Sequence, residues 1–91
     1  MTVSLSPHAR VRMQQRGVSP EALELLLELG ATAPAPGGKQ IVFIERAQRR
    51  ELGRRGKCIS GRDRLKRLYA VTDEHGIVVT VGHRYRPLAR I

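Results

Sequence analysis

The sequence predicts an α+β domain in which two N-terminal helices pack on one face of a three- to four-stranded antiparallel sheet. Three observations carry this. The first 30 residues hold two Ser-Pro pairs, each followed by a run of helix-length spacing and a closing glycine. The rest holds short runs of β-branched and aromatic residues divided by turn residues. Hydrophobic residues make up 41% of 91 positions, enough for one small core and too little chain for two domains.

Ser6 is placed to cap the first helix (7–16), with Pro7 at the first helical position, where a missing N–H costs nothing. Gly17 ends it as a left-handed cap. Ser19 and Pro20 repeat the device for the second helix (20–29), and Gly30 closes that one. Val18, ahead of the cap, and Leu23, at the fourth helical position, form a hydrophobic staple. Glu21 lies in the first turn, where the helix dipole favours a carboxylate. Leu23, Leu25, Leu26, Leu27 and Leu29 make this a core helix, with Glu24 and Glu28 on its wet side. In the first helix, His8, Arg12, Gln15 and Arg16 fall on one stripe, with Ala9 and Met13 beside it. That helix therefore packs by a narrow edge and presents a His-Arg-Arg stripe.

Ala31–Lys39 reads as a loop, since two Pro and two Gly stand against any regular element. Residues 40–45 (QIVFIE) read as a strand. Residues 64–72 and 77–85 flank Asp73-Glu74-His75-Gly76, a hairpin with glycine where the turn needs positive φ. Simple alternation puts Ile77, Val79, Val81, His83 and Tyr85 on one face of the last strand, and Val78, Thr80, Gly82 and Arg84 on the other. Arg54–Ser60 offers a fourth strand. Arg46–Leu52 offers a helical turn, and Gly53, Gly56 and Gly61 stand against a longer helix. No internal repeat is visible.

The charge is +9, from 17 Lys plus Arg against 8 Asp plus Glu, and 14 of the 17 are Arg. Arginine offers a planar fork that grips phosphate in a bidentate way, whereas lysine is a point charge. The bias predicts a phosphate-rich partner, and a nucleic acid rather than a membrane surface. The surplus is concentrated. Arg46–Arg67 holds eight Arg and two Lys against Glu51 and Asp63, a net +8 over 22 residues. Three aromatics (Phe43, Tyr69, Tyr85) are too few for a base-stacking platform. Cys58 is the only cysteine, which excludes an internal disulfide and a cysteine-based zinc site, and fits a reducing compartment. Met1–Arg10 has no apolar run of the secretory kind, so the expected location is the cytoplasm.

The chemistry-bearing residues are His, Arg, Lys and Tyr. There is no H-x-x-x-H and no paired carboxylate cluster at ligand spacing, and Gly37-Gly38-Lys39 is too short for a phosphate-binding loop. The expected cofactor is none. Such a set suits RNA cleavage by its own 2′-hydroxyl, which needs a base, an acid and cations for the phosphoryl oxygens. Three constellations are candidates: the His8-Arg12-Arg16 stripe, the strand-end His83-Arg84-Tyr85-Arg86, and the Arg46–Arg67 run. Each has a plainer counterpart, namely a solvated helix face, a polar strand end with a satisfied histidine, and a solvated basic loop. His75 belongs to a surface turn, and Cys58 has no base near it in sequence.

Ser6–Val18 (SPHARVRMQQRGV) resembles the opening of a small bacterial family of uncharacterised domains that begin His-x-x-x-Arg-Met-x-x-Arg-Gly. The matching positions are His8, Arg12, Met13, Arg16 and Gly17. The ending Val79–Arg86 is similar to the last strand of RelE/ParE-type toxins, as is the order of helix, helix and antiparallel strands. The resemblance runs from about Ser6 to Arg86. It implies a metal-independent, RNA-cleaving or RNA-binding toxin-like domain of RelE-like fold, and the leading expectation is an endoribonuclease, the toxin half of a toxin–antitoxin pair. Implied catalytic residues are His83, Arg84, Tyr85 and His8. The nucleic-acid contacts expected with them are Arg12, Arg16, Arg49, Arg50, Arg54, Arg55, Lys57, Arg62, Arg64 and Arg67. Implied partners are RNA, with or without the ribosome, and an acidic antitoxin; the edges of a small sheet allow a homodimer. The rival expectations are a non-catalytic nucleic-acid-binding module, which needs the arginines and no histidine, and a partner-binding protein of a toxin–antitoxin system, in which an acidic segment neutralises Arg46–Arg67.

Overall fold

The computed structural model describes residues 3–56 and 62–84. Helices α1 (Pro7–Arg16) and α2 (Pro20–Leu29) come first, followed by strands β1 (Ala31–Ala35) and β2 (Lys39–Phe43). A 3-10 turn (Arg46–Gln48) leads into α3 (Arg49–Arg55). A second 3-10 segment (Arg62–Arg67) leads into β3 (Leu68–Thr72) and β4 (Val78–His83). The strands form one antiparallel sheet in the order β1-β2-β3-β4, which is the α+β class the sequence predicts.

Both predicted caps are made. Ser6 Oγ accepts from the Ala9 N–H and Ser19 Oγ from the Ala22 N–H, each satisfying a donor that a helix start leaves open. Gly17 adopts φ 65, and the N–H of Val18 reaches the Met13 carbonyl. Gly30 ends α2 for a different reason. Its φ is ordinary, but a Cβ there would lie 2.7 Å from Val42 Cγ1 and 2.6 Å from the Leu26 carbonyl oxygen.

One face of the sheet meets the helices. Val42, Ile44, Leu68, Ala70, Val78 and Val81 pack there against Ala9 and Met13 of α1, Leu23 and Leu26 of α2, and Leu52 of α3. Burying each large aliphatic side chain contributes about 1.5–3 kcal/mol. Phe43 is buried but lies outside this core, because it alternates with Val42 and Ile44 and so faces the other way. Among the described residues no helix is long and apolar enough to cross a membrane.

Five local expectations are corrected. Ala31–Lys39 is not a loop: Ala31–Ala35 pairs with Lys39–Phe43 as β1. Pro34 is tolerated because β1 is an edge strand, paired on one side only. Gly37 and Gly38 (φ 77 and 73) then make the turn. Residues 64–72 are not strand throughout; the chain is 3-10 up to Arg67, and β3 begins at Leu68. No strand begins at Arg54, which with Arg55 belongs to α3; and Gly53 does not break that helix but sits inside it. Finally, β4 does not alternate simply. Val71 pairs with Thr80 and Thr72 with Val78, leaving Val79 as a bulge. The extra residue shifts the face, so Val78 and Val81 are both buried in the core while Ile77 and Val79 are only half-buried.

Candidate nucleic-acid interface

The basic surface begins where β2 ends. Glu45 and Gln48 form a reciprocal capping box across the Arg46–Gln48 turn, which fixes the chain's entry into α3. One side of α3 then turns inward. Leu52 is in the core, and Gly56 allows close approach: a Cβ there would stand 2.8 Å from Leu65 Cδ1 and from the Leu52 carbonyl oxygen. Leu65, in the following 3-10 segment, is buried in the same core. With the leucines inside, several cations of this stretch point to solvent. Arg46, Arg49, Arg50, Arg54, Arg55, Lys66 and Arg67 are all exposed.

These cations differ in how freely they can take a phosphate. Arg54 is gripped by Glu51 through two hydrogen bonds, at 2.6 and 3.2 Å. Arg54 holds the Glu51 carboxyl below the usual carboxylate range through that bond, and Glu51 in turn raises Arg54. Solvent screens the pair, so it adds little to folding; its consequence is that the Arg54 fork is occupied. Arg55 reaches Glu28 of α2 at 2.8 Å, and its side chain is 38% exposed against 71% for Arg54, so it ties α3 to α2. Arg46, Arg49, Arg50 and Lys66 make no side-chain hydrogen bond or ion pair among the described residues. The motif reading did not single out Arg46 and Lys66, although both lie in the same charged run.

The strand-end constellation is placed close by. Arg84 donates its backbone N–H to the Arg67 carbonyl, and its guanidinium donates to the Ile44 carbonyl at 2.7 Å. The same guanidinium lies 5.1 Å from the centre of the Phe43 ring, within cation–π range. Arg84 therefore stitches the end of β4 to the end of β2. Nothing in the sequence signals this contact, which spans 40 positions. His83 pairs with Leu68 across the strands, two residues beyond Val81 on the core-facing side, and is half-buried.

The helix-one stripe is elsewhere. Ser6 N–H donates to the Val78 carbonyl and Ser6 Oγ to the Val79 carbonyl, so α1 starts beside the beginning of β4. His8 is in that first turn, exposed, with its Nε2 accepting from Arg12 Nε at 3.4 Å. Arg12 also reaches Gln15, and Arg16 is half-buried in the last turn. His83 closes β4 four residues beyond Val79, roughly 13 Å at the rise of a strand. The structure thus sets the anchors of the two histidines at opposite ends of β4. Arg62 and Arg64 fall on the backbone of the 3-10 segment Arg62–Arg67. Lys57, Cys58, Tyr85 and Arg86 lie outside the described residues. Among the described residues no group of three His, Cys, Asp or Glu is placed to hold a metal ion.

No family model matches the chain, and no curated protein or solved structure matches it.

Proposed function

We propose that this domain binds RNA by its phosphate backbone, through the surface formed by the Arg46–Gln48 turn, α3, Lys66 and Arg67. The observation that carries the reading is the separation of partners on that surface. Arg46, Arg49, Arg50 and Lys66 are exposed cations with no acid engaging them among the described residues, and Leu52 and Leu65 fix α3 and the second 3-10 segment in the core. Guanidinium groups held on a packed scaffold suit bidentate phosphate contact. Among the described residues the face offers no array of Asn or Gln to read base edges, and Gln48 is used in the capping box. RNA is favoured over DNA by the resemblance of Val79–Arg86 to RelE/ParE-type toxin endings.

The test is fluorescence anisotropy with a labelled RNA hairpin, a single-stranded RNA and a DNA duplex, each titrated over a range of salt. RNA should bind, with log affinity falling linearly against log salt as counterions are released. Absence of RNA binding, or a flat salt response, overturns the proposal.

A second reading, metal-independent cleavage of the bound RNA, is favoured by one placement. His83 closes β4 at the end where Arg84 joins Arg67 and Ile44, beside the arginine surface. This reading rests on His83 and makes no use of His8, which lies at the start of α1. Incubation with RNA in EDTA should then yield 2′,3′-cyclic phosphate ends, lost in His83→Ala. Intact RNA after prolonged incubation with folded, RNA-binding protein leaves the binding function alone standing.

A further inference from the structure

The glycine within α3 has no explanation inside the molecule. Gly53 is in the middle of a helix, where glycine is among the least favourable residues. Its backbone does not need glycine, since it is absent from the positive-φ positions. Its packing does not need glycine either, because a Cβ there would meet nothing within 4 Å. Gly56, three residues on in sequence, is the contrast: there a Cβ collides with Leu65 and Leu52.

Gly53 also occupies a particular place. It is the i+4 neighbour of Arg49 and the i+3 neighbour of Arg50, so these three share one surface of the helix. Arg54 flanks it on the far side, and all four residues are exposed. The result is a bare patch of backbone among helix positions that carry arginines. Glycine in such a position lets another backbone come close where a side chain would hold it off.

We propose that Gly53 is the seat of a phosphodiester, a notch in which one nucleotide's phosphate rests against the α3 backbone while Arg49 and Arg50 close on its oxygens from either side. The inference rests on the RNA-binding reading above and specifies where and how the backbone sits. The notch selects for the extended phosphodiester of a nucleic acid strand, since depth matters there as well as charge.

The experiment compares Gly53→Ala, Gly53→Leu and the double variant Arg49→Ala/Arg50→Ala, with the labelled RNA hairpin and with anionic phospholipid vesicles as probes. Alanine and leucine are both strong helix formers, so they differ mainly in bulk. Both glycine variants should melt higher than the parent, Gly53→Ala by about 4 °C. Yet RNA binding should weaken with size, slightly for alanine and by about tenfold for leucine, comparable to one lost charged contact. If the arginine double variant loses RNA while both glycine variants bind like the parent, the notch is refuted and the RNA-binding surface stands. Equal loss for alanine and leucine also refutes it, because that signals a need for a pliable helix. If the double variant itself binds RNA normally, or only the vesicles are bound, the underlying reading falls with it.

Discussion

The arginine surface makes a quantitative prediction about salt. Arg46, Arg49 and Arg50 are exposed and take no acid partner among the described residues, so each is available to neutralise a phosphate. Every neutralised phosphate contributes about 0.7 to the slope of log affinity against log salt on single strands, and about 0.9 on a duplex. The triple variant R46A/R49A/R50A should therefore flatten the slope by about 2 on single-stranded RNA and by nearly 3 (roughly) on a duplex. Glu51→Gln should act in the opposite sense. It releases the Arg54 fork from its bidentate partner and should steepen the single-strand slope by about 0.7.

The assay is anisotropy of a labelled RNA across a salt series, with melting followed by circular dichroism as the folding control. Substitutions at exposed arginines away from packing should change stability by no more than about 0.5 kcal/mol, so the binding change is read cleanly. A triple variant whose slope equals the parent's, with Glu51→Gln also unchanged, refutes this surface as the phosphate contact, even if some RNA binding remains elsewhere on the molecule.

Two further predictions concern the frame that holds the surface. Ser6→Ala removes both the cap on Ala9 and the hydroxyl bond to Val79, and should cost about 1–2 kcal/mol in urea unfolding; a cost near zero would mean that the Ser6 hydroxyl contributes to neither. The Asp73 carboxylate accepts from the N–H groups of Ile77 and His75, and the Ile77 bond chiefly holds it below the ordinary carboxylate range. A carboxyl lowered by folding stabilises the protein above its unfolded pKa and stops doing so as pH falls through the folded one. Asp73→Asn should thus narrow the stability gap between neutral and acid pH, and a gap as wide as the parent's would refute the role.

The helices were legible because their signals are local. Ser-Pro openings, glycine endings and a leucine-dense face each act within a turn or two, and α1 and α2 match residues 7–16 and 20–29 in the structure. The errors came from effects that depend on neighbours distant in sequence. Pro34 argues against a strand until one knows that β1 is an edge. Alternation along β4 fails at Val79 because the bulge is decided by its pairing with β3. That Arg84 also engages Ile44 and Phe43, 40 and 41 positions away, is likewise invisible in sequence. The charged run was visible at once, but which of its arginines are free depends on where Glu28 and Glu51 fall.

That dependence means the segment after β2 has two jobs, and they can be separated. Its leucines close the core at one end of the sheet, and its arginines face out from the same short helix. Deleting the segment would remove both and decide nothing. Leu52→Ala should cost about 2–5 kcal/mol, since Leu52 is 5% exposed and packed in the main core. A 91-residue domain has only about 5–15 kcal/mol to lose, so this variant should melt markedly lower and bind RNA poorly because α3 is no longer held. Arg49→Ala/Arg50→Ala should bind equally poorly while melting like the parent. If Leu52→Ala melts like the parent, α3 is not part of the cooperative core, and the argument that its arginines are fixed in position fails with it.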